Sequence, residues 1–290
     1  MPDETYKLLR VTGSDAGEFL QGQLTQDMER IAQTGSLPAA WCNPQGRVIT
    51  LLRVLVIDGG YGLALPASLA EFVCERLAIY RLRADVGLHV EGPHWMHLVF
   101  QSDDDLADLA QLGLKPEQEI NASCIAHGLI AINIGIEEPC VELMGFEAEF
   151  SKAGIDTDKH ADLVYLSGSK IRAGIPEVLE NTSEKYTPHM LNLDLLDAIS
   201  FDKGCYTGQE VVARTENLGR SKRRVMRYRT DAEVQSGAKL SNGKSDVGEV
   251  INVSGMDLLA VTPVELHDRT LAVDGVTVTP MALPYAVPDS

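Results

Sequence analysis

The chain has 290 residues, of which 44% are hydrophobic, and its 42 acidic and 25 basic residues give a formal net charge of −17. A chain of this length buries a sizeable core and has room for two or three domains. The acidic balance excludes a protein that holds nucleic acid by broad electrostatics, because such proteins neutralise phosphates with lysine and arginine. The longest apolar stretch, residues 128–136, is too short to span a bilayer, so we expect no membrane association.

The first two thirds of the chain alternate between predicted helices and strands. Ser14 is a predicted N-cap for a helix that runs to residue 28 and has apolar residues on one face. Residues 47–57 and 61–65 form a predicted hairpin around an Asp-Gly-Gly turn, and a helix over 69–82 follows. The remaining predicted elements are, in chain order, strands over 86–90 and 95–100, a helix over 103–112, a strand over 125–134 and a helix over 158–171 that Gly174 and Pro176 end.

After Lys222 the pattern changes to short β segments separated by turns such as Asn242-Gly243 and Asp274-Gly275. This pattern predicts a small antiparallel sheet or barrel of about six strands. The segment RSKRRVMRYR over 220–229 is rich in basic residues. It is typical either of a strand with one wet face or of a nucleic-acid patch, and attraction of an anionic ligand is a third interpretation.

The five cysteines are Cys42, Cys74, Cys124, Cys140 and Cys205. Their odd number and the acidic start, MPDET, indicate a reducing cytoplasmic compartment. Because they have no close spacing and the histidines are scattered, we predict no zinc, iron–sulfur or other metal site within the chain. We expect the first four to be core thiols, since free cysteine usually behaves as a small buried hydrophobe.

The string DKGCYTGQEVVAR in the last third of the chain places the thiol of Cys205 between Lys203 and a predicted helix start. Thr207 and Glu210 have the spacing of a capping box, so the helix is predicted to begin near Gly208. Unpaired backbone N–H groups, the positive end of the helix dipole and a nearby ammonium all favour thiolate over thiol. The string therefore predicts a reactive or ligating sulfur, and an ordinary buried cysteine beside a capped helix is the alternative.

This string resembles the signature of the YgfZ family of folate-binding, tRNA-modifying proteins, which are related to the T-protein (aminomethyltransferase) of the glycine cleavage system. Four further segments resemble family segments and follow the family's order, so the resemblance spans most of the chain. They are FLQGQLTQD at 19–27, NPQGRV at 43–48, IRAGIPE at 171–177 and TPHMLNLDLLDAISF at 187–201.

The resemblance implies an aminomethyltransferase-like α+β fold, in which two interleaved α+β domains surround a central cavity and a C-terminal antiparallel β-barrel follows. Residues 1–40 and 158–220 would form a first, folate-binding domain. Residues 41–157 would form the second domain, and residues 221–290 the barrel. Periodicity alone gives only α+β followed by β.

The resemblance also implies a pterin in the central cavity, which needs apolar faces for stacking and a few placed polar groups. Tyr6 sits where family members carry an aromatic that contacts the ligand, whereas Leu166 replaces a second aromatic. The alternatives are a surface role for Tyr6 and a satisfied structural amide for Asn192. The expected folate contacts besides Tyr6 are Gln21, Asp27, Asn192, Gln209, Glu210 and Arg214.

The lone thiol has no nearby histidine and no C-x-x-C partner, which does not fit nucleophilic catalysis or dithiol redox chemistry. The resemblance implies tetrahydrofolate or another reduced folate as cofactor and iron–sulfur enzymes or assembly proteins as partners. Cys205, with Lys203 beside it, would be the functional thiol of an accessory protein that affects tRNA modification. The alternatives are a tetrahydrofolate-dependent one-carbon transferase like the T-protein and, third, direct tRNA binding through residues 220–229.

Overall fold

A computed structural model of the chain describes residues 6–92, 95–135, 138–160, 163–219 and 221–288. Two antiparallel sheets, of five and four strands, are followed by a closed antiparallel barrel of six strands. Helices lie between and beside the sheets. This architecture confirms the predicted α+β class with a C-terminal β-barrel.

The first sheet has the strand order β2-β3-β4-β1-β5. Its third and fourth strands in the chain form the predicted hairpin, which is confirmed. Gly60 in the turn has a φ of 153°, and a Cβ there would lie 2.3 Å from the Val11 carbonyl oxygen, so only glycine fits. The strands are β1 (Tyr6–Thr12), β2 (Ser36–Cys42), β3 (Val48–Ile57), β4 (Gly60–Pro66) and β5 (Gly87–Val90).

The helices of this region are α1 (Ala16–Gln21), α2 (Ile31–Thr34) and α3 (Ala67–Tyr80). Helix α3 confirms one prediction, but the single helix from Ser14 to residue 28 is wrong. The chain leaves the helical path after α1, because carbonyl groups of the following loop bind the distant Lys203 ammonium instead of helical amides. Ser14 is not the N-cap either, since its hydroxyl contacts Asp15 and Asp85.

The second sheet has the strand order β6-β9-β8-β7. Its strands are β6 (Trp95–Phe100), β7 (Ser123–Ala126), β8 (Leu129–Asn133) and β9 (Val141–Phe146), and its helices are α4 (Asp103–Gln111) and α5 (Glu147–Ala153). The predicted strand over 125–134 is instead the hairpin of β7 and β8. His127 and Gly128 both have positive φ, 54° and 75°, which is the geometry of a two-residue hairpin turn.

The segment that follows returns the chain to the first sheet. A 3-10 turn (Asp158–His160) precedes α6 (Leu163–Arg172), so the predicted helix over 158–171 is broken near its start, and residues 161 and 162 lie outside the described residues. Gly174, with a φ of 68°, follows the helix end as predicted. A second 3-10 turn (His189–Leu191) and α7 (Gln209–Leu218) complete the segment.

The barrel closes in the order β10-β13-β12-β11-β14-β15 and confirms the six predicted strands. Asp274 and Gly275 form the predicted two-residue turn, with φ values of 50° and 85°. The strands are β10 (Arg223–Thr230), β11 (Lys239–Ser241), β12 (Asp246–Ser254), β13 (Asp257–Pro263), β14 (Leu271–Val273) and β15 (Val276–Met281).

Two apolar clusters join these parts. One combines Leu8 and Leu55 of the first sheet with Trp95 and Ile130 of the second and with Leu166 of α6. The other joins β2 and β3 to residues 186–199 and to the barrel strands. The sheets therefore pack on each other with α6 beside them, and the barrel closes the assembly.

The predicted domain boundary between residues 40 and 41 falls within β2, whose hydrogen-bonded partner β3 follows in the chain. The division into folding domains stays a prediction. Among the described residues, no helix has both the length and the apolar character that crossing a bilayer requires.

Candidate functional site

A cavity of about 80 Å³ lies between the two sheets and α6. We call it the central cavity. Its wall is mostly apolar, with Leu51, Met144 and Leu193 among the lining residues. The polar residues on the wall are Tyr6, Arg53, Asn121, Glu142, Lys170 and Glu177.

A buried ion cluster forms one side of the central cavity. The Lys170 ammonium lies 3.0 Å from a carboxylate oxygen of Glu142 and 3.2 Å from one of Glu177. The Tyr6 hydroxyl donates a hydrogen bond to the same Glu177 oxygen, and the ammonium lies 4.5 Å from the centre of the Tyr6 ring. These contacts hold β1, β9, α6 and the IRAGIPE segment together around the cavity.

His97 and Trp95 support this cluster from the second sheet. The Trp95 indole nitrogen donates to Nε2 of His97 at 3.2 Å, so that nitrogen carries no proton. The Nδ1 nitrogen is then the protonated one and donates to Glu142 at 2.9 Å. The His97 ring also stacks on Tyr6, with 4.6 Å between ring centroids. The orientation of Tyr6 is thereby fixed on one face and at its hydroxyl.

The charges in the cluster shift one another's pKa values. Burial opposes the charged form of Glu142, but Lys170 and the hydrogen bond from His97 outweigh it and lower the pKa to about 2. Burial likewise opposes the Lys170 ammonium, but Glu142 and the other neighbouring anionic groups raise its pKa well above the ordinary value. Burial and Glu177 raise the pKa of Tyr6. At neutral pH the cluster therefore holds a charged Lys170, a charged Glu142 and a protonated Tyr6.

A groove of about 300 Å³ lies on the barrel side of the same cluster. It shares Lys170, Ile175 and Glu177 with the central cavity, and its other wall includes Gln235 and Asn252 of the barrel region. The Asn252 side chain donates to the Glu177 carbonyl at 3.0 Å and accepts from the Glu177 amide at 2.9 Å. The barrel therefore fixes the backbone that carries the Glu177 carboxylate.

Cys205 is exposed on a loop that we call the cysteine loop, residues 202–208. No residue of this loop lines the central cavity. The Thr207 amide donates to the Gly22 carbonyl at 3.2 Å. Gly208 lies so close to the Asn43 carbonyl that a Cβ there would stand 2.5 Å from it, and its φ is 83°. Three segments that resembled one family, FLQGQLTQD, NPQGRV and the cysteine string, thus pack against one another.

The buried side chain of Lys203 stabilises the packing of these three segments. Its side chain is buried, and its ammonium donates to the carbonyls of Gln21, Leu24 and Gln26, each at 2.7 Å. Burial lowers its pKa to about 8. An ammonium has three hydrogens, so these bonds use all of them and none is left for the thiol. The predicted support of the Cys205 thiolate by Lys203 is absent from this geometry.

The predicted helix start is confirmed, but the predicted capping box is wrong. Helix α7 begins at Gln209 with Gly208 as the N-cap residue, and no side chain caps it. The Thr207 hydroxyl instead contacts Oε1 of Gln23 at 3.3 Å. The left-handed backbone at Gly208 turns the chain in a way that the T-x-x-E pattern did not reveal.

Of the expected folate contacts, Tyr6 alone lines the central cavity. Gln21 donates to Asp27 at 2.9 Å, and both belong to the loop that Lys203 holds. Asn192 is fully buried; its amide donates to the Val225 carbonyl at 2.9 Å and accepts from a buried arginine, so it matches the structural alternative. The rest lie on α7, where Gln209 is half-buried and Glu210 and Arg214 are exposed. Their assignment as folate contacts stays a prediction.

The sequence analysis missed the other polar groups of the cavity. Glu142 stands inside the apolar strand VELMGF, and Lys170 follows the small residues of α6. A charged residue within an apolar run was the available signal, because such residues are rarely buried unless paired. The partners come from segments far apart in the chain, so their pairing had no local pattern.

The basic segment forms β10, which confirms the strand interpretation, although Arg220 lies outside the described residues. Arg224 is 5% exposed and makes a bidentate ion pair with Asp194, at 2.8 and 2.9 Å. Arg227 is also buried, so the predicted alternation with one wet face is wrong. Arg224 and Arg227 are therefore buried and do not contribute to a basic surface.

All five cysteines are free; Cys42 and Cys140 are buried, as expected for core thiols, while Cys74 and Cys124 are partly buried. Within the described part of the chain, one group of three side chains has the spacing to hold a metal ion, namely His189, Asp194 and Glu216. Both Asp194 oxygens already bind the Arg224 guanidinium. That ion pair places a positive charge beside the group, which disfavours a cation there.

No protein-family model matches the chain. The tRNA-modifying protein YgfZ of Shigella sonnei is 30% identical over 229 residues, which cover 76% of this chain and 68% of that protein. The YgfZ protein of Colwellia psychrerythraea is 28% identical over 228 residues, which cover 74% of this chain and 66% of that protein. The chain therefore matches about two thirds of the length of these relatives.

The fold is similar to that of the glycine cleavage system aminomethyltransferase T from Bartonella henselae. The TM-score is 0.72, and the match covers 97% of this chain and 84% of that one at 16% identity. At this identity the likeness concerns the fold alone. It confirms the predicted aminomethyltransferase-like architecture.

Proposed function

Because the chain belongs to the YgfZ family, we propose that it is a folate-binding protein that supports tRNA modification. The observation that carries the proposal is the central cavity, whose wall is mostly apolar and includes Tyr6. Apolar walls with a few fixed polar groups suit a flat heterocycle such as a pterin. Tetrahydrofolate or another reduced folate is the proposed ligand.

The residues of the ion cluster would prepare this cavity for the ligand. Tyr6 is oriented by His97 and by its hydrogen bond to Glu177, so its position does not depend on the ligand. The paired charges of Lys170 and Glu142 need no reorganisation when a neutral ring enters. Such preorganisation improves affinity because fewer groups must be ordered on binding.

The exposed thiol of Cys205 would act outside the cavity, on a protein partner. A single accessible thiol has the means to lend one sulfur ligand to a metal cluster that the partner also holds. We therefore propose iron–sulfur enzymes or their assembly proteins as partners, including enzymes that modify tRNA. We also propose that the protein acts in the cytoplasm, because its five free cysteines fit a reducing compartment.

Anaerobic calorimetric titration of the wild-type protein with tetrahydrofolate tests the folate proposal. We expect saturable binding at one site. A titration without binding heat or any ligand-induced shift in thermal midpoint would remove folate from the proposal.

Complementation tests the role of the thiol. In bacteria that lack their own family member, we expect the wild-type chain to restore tRNA modification, measured as modified nucleosides in hydrolysed tRNA. The Cys205→Ser variant should fail at equal protein level, and Cys124→Ser, which changes a partly buried thiol elsewhere, should succeed. Full restoration by Cys205→Ser would contradict the proposed role of the thiol.

A tetrahydrofolate-dependent one-carbon transferase is the second candidate. It is favoured by the aminomethyltransferase fold and by the Glu177 carboxylate on the cavity wall, since such an enzyme needs an acidic group beside the folate. Turnover of tetrahydrofolate with an aminomethyl donor, unaffected by Cys205→Ser and lost in Glu177→Gln, would support this candidate over the accessory role.

A further inference from the structure

Arg53 is a buried cation on the wall of the central cavity. Its side chain is 8% exposed and is oriented by Oγ of Ser36 at 2.8 Å and by Oδ1 of Asn121 at 3.0 Å. Within the described part of the chain, no carboxylate lies within ion-pair distance of it. Both of its hydrogen-bond acceptors are neutral, and three of its five N–H groups have no protein acceptor among those residues.

This arrangement differs from that of the other buried cations near the site. Lys170 contacts two carboxylates, and Arg224 makes a bidentate pair with Asp194. A buried charge without such partners is unfavourable unless another group completes its hydrogen bonds. Burial lowers the pKa of Arg53 to about 10, against the opposing effect of Glu142, so the guanidinium stays charged at neutral pH. The open N–H groups of Arg53 are therefore available to an acceptor in the cavity.

The rest of the wall selects the kind of acceptor. The oxygen of the Asn121 amide already accepts a hydrogen bond from Arg53, and its nitrogen donates to the Leu196 carbonyl at 3.2 Å. Asn121 therefore leaves the other N–H groups of the guanidinium open. Glu142, Glu177 and Lys170 also face this cavity, and because this cluster has one more carboxylate than ammonium it disfavours a ligand carboxylate. A neutral carbonyl oxygen accepts from Arg53 without that repulsion. A ring amino group at the same place would point its N–H donors at the N–H donors of Arg53, and no hydrogen bond would form.

We propose that Arg53 recognises a ring carbonyl and makes the central cavity selective for the oxo form of a heterocycle over its amino analogue. This inference rests on the proposed binding of folate, whose pterin ring carries such a carbonyl at carbon 4. The 4-amino analogue places a donor at carbon 4 where folate has an acceptor, and its adjacent ring nitrogen N3 changes from a donor to an acceptor. A site built to hydrogen-bond one of these groups discriminates strongly, because the wrong group leaves a buried partner unpaired.

Anaerobic titrations of the wild-type protein with tetrahydrofolate and with tetrahydroaminopterin, its 4-amino analogue, test the inference. We expect the oxo compound to bind roughly ten- to a hundredfold more tightly. Equal binding, or a preference for the amino compound, would overturn the inference and leave the proposed function intact. Absence of binding by both compounds would overturn the proposed function and the inference with it.

The Arg53→Gln variant assigns the preference to this residue. A glutamine amide offers a donor and an acceptor, so the ratio of the two affinities should fall by roughly tenfold or more towards one. Arg53→Lys keeps a charged donor and should retain a preference for the oxo compound. Arg10→Gln, on a strand of the same sheet and outside the cavity, should keep the wild-type ratio. An unchanged ratio of the two affinities in a folded Arg53→Gln protein would contradict the assignment to Arg53. If that variant does not fold, the titrations of the wild-type protein with the two compounds still decide whether the cavity is selective.

Discussion

The central cavity and the cysteine loop are organised in opposite ways. In the ion cluster of the cavity, buried charges are paired with each other: Lys170 with Glu142 and Glu177. At the cysteine loop the buried charge is Lys203, whose three hydrogen bonds all go to backbone carbonyls, and the thiol of Cys205 is exposed.

The difference separates two tasks within one chain. Side chains fixed around a space preorganise a ligand site, since their positions are set before the ligand arrives. A backbone fixed by one central ammonium instead holds a loop in a defined shape and presents one side chain to solvent. We therefore expect changes at the cavity to act on electrostatics and ligand binding, and changes at Lys203 to act on loop structure.

The largest expected loss of unfolding free energy comes from removing the Lys170 ammonium from the ion cluster. Lys170→Met leaves Glu142 and Glu177 without their counter-charge, and breaking a buried pair in this way costs about 3–5 kcal/mol of unfolding free energy. Urea denaturation at pH 7 measures it. The control Lys185→Met, whose ammonium is half exposed, should lose at most about 1 kcal/mol. Equal losses in the two variants would contradict the account of the ion cluster.

Acid should weaken the ion cluster of the cavity. The pKa of Glu142 is lowered from 4.5 to about 2 in the folded protein. A depressed carboxyl pKa stabilises the fold above the unfolded pKa, and this contribution of about 3 kcal/mol is lost as the pH falls from 4.5 towards 2.

Urea denaturation between pH 6 and pH 3, with wild type beside Glu142→Gln, measures this dependence. The wild-type protein should lose about 2 kcal/mol more than the variant over that range. Parallel curves for the two proteins would show that Glu142 does not carry the dependence.

A smaller loss is expected at the cysteine loop. Lys203→Met leaves the carbonyls of Gln21, Leu24 and Gln26 without their donor, and a partly relaxed loop of this kind should cost about 2 kcal/mol. Hydrogen exchange should become faster at residues 21–27 and 203–208 while it stays unchanged in the barrel. Lys152→Met, at an exposed position of α5, is the control and should change neither quantity. Uniformly faster exchange throughout the chain would contradict a local role for Lys203.

The smallest effect is expected at the thiol itself. Cys205→Ser should change the unfolding free energy by less than about 0.5 kcal/mol, because the side chain is exposed. Cys42→Ser, at 1% exposure, should cost about 1–2 kcal/mol, since it buries a hydroxyl in an apolar cluster. Thermal denaturation of the two variants measures the contrast. A larger loss for Cys205→Ser than for Cys42→Ser would mean that the exposed thiol has a structural role.

The cysteine loop was visible in the sequence and the ion cluster of the cavity was not, for a physical reason. The glycine- and cysteine-containing strings are contiguous, and their local turns, such as Gly208 at a φ of 83°, depend on neighbouring residues. The barrel strands and the β3–β4 hairpin were predictable on the same grounds. The pairing of Lys170 with Glu142, in contrast, joins two segments that have no sequence pattern in common.

The failed predictions have the same origin. The helix from Ser14 to residue 28 was predicted from a local apolar pattern, but its second half is replaced by a loop that binds Lys203. The prediction that the Lys203 ammonium favours the Cys205 thiolate rested on adjacency in the chain, whereas the ammonium donates its hydrogen bonds to backbone carbonyls of that loop. Tyr6 was predicted to be a ligand contact from the family resemblance alone, because its partners His97 and Glu177 are far from it in the sequence.

The central claim is that the ligand site and the thiol are separate. Anaerobic calorimetry with tetrahydrofolate on Cys205→Ser and on Ala39→Phe, which fills the cavity from a buried wall position, tests it most directly. Leu51→Trp provides a second filled cavity should the first variant fold poorly. The account predicts wild-type affinity for Cys205→Ser and at least a tenfold loss for a folded cavity variant. Loss of binding in Cys205→Ser with wild-type affinity in the filled variants would contradict it.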